Sequence, residues 1–74
     1  EMIVSGSANV VDLLKDAGLV QSKGDGRRLI AQGGVRLDDV VVDDIALQVT
    51  VGVAPRVLQV GKRRFVRLVA AGRP

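Results

Sequence analysis

Across Gly33-Gly34 the hydrophobic period of this 74-residue chain changes from helical to two, which restricts it to short helices followed by short strands. Two helix-start signals lie before the change. Asn9 stands as a cap with Asp12 three residues on, and Val10, Leu13, Leu14 and Ala17 recur at i, i+3, i+4 and i+7 before Gly18 closes the segment. Ser22 followed by Asp25 opens a second helix, because each side chain can satisfy a backbone N–H of the first turn. Gly26, Leu29, Ile30 and Gly33 fall on one face of it, so Gly26 is expected to let the two helices approach closely.

Beyond the glycine pair, Val35 and Leu37 are expected inward and Arg36 outward, Asp38-Asp39 turns the chain, and Val40-Val41-Val42 returns. A two-residue mirror-type turn without glycine is strained, so a longer or differently shaped turn is expected there. Ile45, Leu47, Val49 and Val51 alternate with polar or small residues as a half-buried strand, which Gly52 and Pro55 end. Two further runs, 57–60 and 65–69, flank Gly61-Lys62-Arg63-Arg64 as a hairpin with a cationic turn. Residues 1–8 read as a flexible lead-in, 9–69 as one folded domain and 70–74 as a frayed tail.

A single aromatic residue in a chain that is 47% apolar makes the core aliphatic, and Phe65 is expected to join it. Without cysteine or histidine the chain has no disulfide, thiol or imidazole chemistry and no ordinary zinc site. No apolar run reaches membrane-spanning length and no signal peptide opens the chain, so a cytoplasmic location is expected. Opening on Glu1 rather than methionine, the sequence reads as a piece of a longer protein.

The net charge of +3 conceals a strong segregation. Residues 1–22 hold one lysine against three acids, and 23–36 hold four basic residues against Asp25. Four aspartates and no base occupy 37–50, whereas six basic residues and no acid occupy 51–74. An acidic side and a basic side are expected, and with them a polyanionic partner. Lys23, Arg27 and Arg28 crowd a positive helix end, where cations are unfavourable unless an anion also uses the free N–H groups. With Ser22 and Gln32 they form the first candidate phosphate-binding group. Lys62, Arg63, Arg64, Arg67 and Arg56 form the second, and Arg36 stands on the first strand. The bland alternatives are a solvated helix face, a surface glutamine, and edge protection of the hairpin. Asp38, Asp39, Asp43 and Asp44 lack the glycine and terminal glutamate of a calcium loop, so they are read as a solvated side that repels phosphates and not as a metal site. No acid, base and nucleophile converge, and no catalytic residue is assigned.

The order of helix, linker, Ser-Lys-x-x-x-Arg-Arg-Leu-Ile helix, Gly-Gly, Val-x-Leu strand and turn resembles the RNA-binding domain named after ribosomal small-subunit protein four. More narrowly, three stretches are similar to the C-terminal domain of bacterial tyrosyl-tRNA synthetases: Val11-Asp12-Leu13-Leu14 with Ala17-Gly18-Leu19, Ser22-Lys23 with Arg27-Arg28-Leu29-Ile30, and Leu58 to Arg67. The resemblance implies an α+β fold, with two short packed helices (the αL motif) beside a small, strongly bent, mainly antiparallel sheet. It implies a partner, tyrosine tRNA, held between the anticodon stem and the long variable arm. It also implies a parent ligase whose catalytic domain uses ATP and magnesium, with a homodimeric parent among the expectations and no cofactor in this piece. Gly24, Gly26 and the Asp38-Asp39 turn depart from the family pattern. The same fold in an rRNA-modifying enzyme or ribosome-associated factor, or a basic protein-interaction module, stands as the alternative.

Overall fold

Both helices begin and end by local chemistry that the sequence spells out. In the computed structural model, which describes residues 2–71, α1 spans Val10–Asp16 and α2 spans Lys23–Ala31. Asn9 Oδ1 accepts from the N–H of Val11 at 2.9 Å, and Ser22 Oγ accepts from the N–H of Asp25 at 3.2 Å. Each helix closes on a left-handed glycine, Gly18 and Gly33, both at φ 74°. In each the next two N–H groups fold back: Gly18 to Lys15 and Leu19 to Leu14, then Gly33 to Ile30 and Gly34 to Leu29. These paired bonds satisfy carbonyls that a helix end otherwise leaves open, and a side chain at the left-handed position would be strained.

The strands are β1 (Met2–Val4), β2 (Ser7–Asn9), β3 (Val35–Leu37), β4 (Val40–Val41), β5 (Gln48–Thr50), β6 (Arg56–Val60) and β7 (Arg64–Ala70). Five of them form one sheet in the order β1-β7-β6-β3-β4, antiparallel except where β1 lies parallel to β7. β2 and β5 form a separate antiparallel pair that leads into α1. The architecture is α+β, a helix pair beside a small mixed sheet.

One aliphatic core joins all of this. Val10 and Leu14 of α1, Val35 of β3, Val49 of β5, Leu58 of β6 and Leu68 of β7 are fully buried, and no polar side chain among the described residues is buried with them. Val11 is buried as well, although it lies off the stripe expected from the period. The reason is α2: a Cβ built on Gly26 would sit 3.3 Å from Val11 Cγ1 and 3.5 Å from Leu14 Cδ1. The missing side chain is what lets the helices meet, and α1 gains a second buried face.

Four expectations are corrected. Met2–Val4 is a paired strand, not a loose lead-in, because β6 occupies only one edge of β7 and β1 takes the other; Val4 is buried. The tail expected from Ala70 begins inside β7, where Ala70 pairs with Val4, and 72–74 lie outside the described residues. Ile45 is 48% exposed and sits in a turn held by Asp44, whose carboxylate accepts from the N–H of Ala46, so the strand around Val49 is shorter than its alternation suggested. Phe65 is 57% exposed and does not join the core. Its parity along β7 is that of Arg67, while Val66 and Leu68 fill the inner face.

The Asp38-Asp39 turn is the tight two-residue form after all. Leu37 pairs directly with Val40, and both aspartates carry positive φ, 52° and 68°. Asp38 offsets its strain by tertiary bonds. Its N–H donates to Val57 O at 2.9 Å, and its Oδ1 accepts from the N–H of Val57 at 2.9 Å. In a regular antiparallel ladder the backbone carbonyl of residue 38 would take that second bond; the turn carries the carbonyl away and the carboxylate replaces it. Asp39 has no such bond, so Asp39→Gly is expected to stabilise the domain by about 0.5–1 kcal/mol through relief of the left-handed backbone. Urea unfolding of the two proteins measures the difference; equal stability would show that Asp39 is unstrained.

Candidate nucleic-acid interface

α2 carries the first candidate group, and its charges are unequally engaged. Lys23 Nζ lies 2.9 Å from Asp12 Oδ1, an ion pair that bridges the two helices. Arg28 Nη2 lies 2.6 Å from Asp25 Oδ1, one turn back on its own helix. Both pairs are well exposed, so each contributes at most about 1 kcal/mol and leaves its cation open to a competing anion. The Arg27 side chain makes no ion pair or hydrogen bond with any described residue. Ser22 is used as the cap, and Gln32 stands at the end of the helix beside Arg28 and Leu29.

The hairpin tip is fastened to the same end of the molecule by two bonds. Gly61 N donates to Gly34 O at 2.9 Å, just beyond α2, and Arg64 Nη2 donates to Gly18 O at 2.9 Å, just beyond α1. Lys62 and Arg63 occupy the turn between those anchors and make no ion pair or hydrogen bond with a described residue. Two hydrogen bonds thus tie the hairpin tip that carries Lys62, Arg63 and Arg64 to the ends of the helices, while Arg28 and Gln32 border one cleft and Lys23 and Arg27 another. The sequence showed the two clusters but not their union, since the joining bonds span 27 and 46 residues.

Three candidates lie elsewhere. Arg36 faces outward from β3, between Val41 and Gln59. Arg67 faces outward from β7 opposite Val57. Arg56 is committed to the fold: its Nε donates to Asp38 Oδ2 at 2.8 Å and its Nη1 to Thr50 O at 3.3 Å. Asp38, Asp43, Asp44 and Arg56 border one cleft, so Arg56 sits among the acids and not with the other cations. Asp38 is likewise more than a solvated acid. The hydrogen bond from Arg56, aided by that from Val57, holds its carboxyl below the usual carboxylate range.

A helix pair closed by two glycines, docked on a small sheet whose last hairpin returns to the helix ends, defines a compact cation-edged α+β module. Residues 10–54 match the model of the S4 domain family, and the chain belongs to that family. It is similar to the tyrosine–tRNA ligase of Thermotoga maritima, 43% identical over 65 residues, which is 88% of this chain and 16% of the relative. It is also similar to the tyrosine–tRNA ligases of Ralstonia nicotianae (48% over 60 residues, 81% of this chain and 15% of the relative) and Burkholderia thailandensis (54% over 56 residues, 76% and 13%). These matches agree with the resemblance carried by the residues from Val11 to Arg67. The chain spans no more than about one-sixth of the length of these curated relatives. No helix among the described residues is long and apolar enough to cross a membrane.

Proposed function

We propose that this domain is the tRNA-holding module of a tyrosine–tRNA ligase, and that it grips the phosphate backbone of tyrosine tRNA with α2 and the tip of the β6–β7 hairpin. The observation that carries the reading is that the hairpin tip bearing Lys62 and Arg63 is hydrogen-bonded to the helix ends, and that the side chains of Arg27, Lys62 and Arg63 have no partner among the described residues while Lys23 and Arg28 are held only by exposed pairs. Cations on two elements anchored to each other form a rigid template for a curved polyanion. Neutralised phosphates release counterions, which supplies affinity and makes it salt-dependent. Shape supplies selectivity, because A-form RNA hides base edges in its deep groove while a long variable arm next to the anticodon stem offers a distinctive backbone path. In this reading the ATP- and magnesium-dependent joining of tyrosine to tRNA is carried out by the rest of the parent chain in the cytoplasm. This domain supplies position.

The test is tRNA binding across a salt series, with a short-variable-arm tRNA as comparison. Replacing Arg27, Lys62 and Arg63 with alanine is expected to weaken binding and to reduce the slope of log affinity against log salt by about 2–3. Arg56→Ala is expected to lower stability and leave that slope unchanged. A triple variant that binds with the slope of the parent sequence would refute the interface.

A further inference from the structure

The five-stranded sheet has a second face that nothing in the described chain covers. Alternation along the strands turns Ile3, Val41, Val57 and Phe65 away from the core, and Ile3 is 70% exposed. The registers align part of this face into a row. Phe65 on β7 lies opposite Gln59 on β6, Gln59 opposite Arg36 on β3, and Arg36 opposite Val41 on β4. Phe65 is the only aromatic residue of the chain, and it stands on the surface directly after the cationic turn. The Gln59 side chain is steadied by a 2.8 Å bond from Nε2 to Gly61 O.

We infer that this face binds an unpaired nucleotide of the RNA held at the helix and hairpin edge, with the base stacked on Phe65 and its phosphate directed toward Arg36. The inference rests on the RNA-binding reading above. Charge and shape select this occupant. An exposed ring offers a stacking surface, the neighbouring amide meets base edges, and the guanidinium meets a phosphate or extends the stack. These are the parts with which sheets receive single-stranded RNA, spaced about 5 Å apart by the strands themselves. No carboxylate from the described residues lies on this face. A second copy of the chain would bring Arg36 and Arg67 against cations of their own kind, which disfavours self-pairing.

A lone aromatic residue makes the test unambiguous, because the ring signals of the chain belong to Phe65 alone. The 74-residue chain is titrated with a tyrosine tRNA transcript and, separately, with an RNA duplex that has no unpaired nucleotides. With the transcript, the Phe65 ring protons are expected to move upfield and to show cross-relaxation to base protons. With the duplex, amides of Arg27, Lys62 and Arg63 are expected to shift while the ring stays in place. Phe65→Leu should weaken transcript binding about tenfold with no change in salt slope, and Phe65→Tyr should restore it. If the amides at Arg27 and Lys62 respond to the transcript and the ring does not, the sheet face is not a nucleotide site, although the RNA-binding reading stands. If no amide responds at low salt, the RNA-binding reading falls and takes this inference with it. Concentration-dependent shifts of Ile3 and Phe65 without RNA would assign the face to a second copy and overturn the inference.

Discussion

Gly26→Leu is expected to destabilise the domain by about 3 kcal/mol or more, which for a chain of this size lowers the melting temperature by roughly 15 °C. Position 26 is the contact point of the two helices. Even a methyl group there meets Val11 Cγ1 at 3.3 Å, with Leu14 and Val20 close behind. A leucine would have to displace α2 from a core that is already close-packed, and the helix also carries Lys23, Arg27 and Arg28 of the candidate interface. Gly24 provides the control on the same helix. Its only neighbour within 4 Å is the far end of the Ser22 side chain, at 3.8 Å, so Gly24→Ala should gain about 0.5–1 kcal/mol from helix propensity alone. Thermal unfolding followed by circular dichroism separates the two. If the variants behaved alike, Gly26 would be a matter of propensity and not of helix approach.

Asp38→Ala is expected to cost about 2–3 kcal/mol, from the lost charge-assisted bonds to Val57 and Arg56 and from an alanine held in a left-handed turn. Asp38→Asn keeps an accepting oxygen and a residue that tolerates that backbone, so its cost should stay below about 1 kcal/mol. The effect carries a pH signature. Because the folded-state pKa of Asp38 is depressed, its stabilisation is fully present above the unfolded carboxyl value of about 3.9. It is lost as pH falls through the lower folded value. Urea unfolding of the parent sequence and Asp38→Ala between pH 2 and 6 should therefore show a gap that is constant near pH 6 and narrows in acid. A gap that persisted unchanged to the lowest pH would mean that backbone strain, not the carboxylate, accounts for the loss.

These two positions show where local reading succeeds and fails. Asn9 and Ser22 were legible as caps because a cap acts over three residues, and Gly18 and Gly33 were legible as stops for the same reason. Asn9 does more than the sequence revealed: its Nδ2 also donates to Ile45 O at 3.0 Å, a partner 36 residues away. The Asp38-Asp39 turn was misjudged because the compensation for its strain comes from Val57 and Arg56, at separations of 19 and 18 residues. Phe65 was misjudged for the opposite reason. Its composition class suggested the core, although its shared parity with Arg67 already marked the outer face. Among the candidate interface residues, Arg56 and Arg64 were not separable by type; one is held by an aspartate among acids, the other by a helix-end carbonyl beside the hairpin tip.

The helix ends, the inward face of β3, the aliphatic character of the core and the family of the chain could all be read from the residues in order. All of these depend on side chains a few residues apart or on a pattern of residue types. Long-range pairing alone makes Met2–Val4 complete the sheet, ties the hairpin tip to the helix ends, and turns the lone aromatic ring outward beside Gln59 and Arg36. Each of those outcomes is set by strand register and by hydrogen bonds between distant segments, and neither period nor composition encodes them.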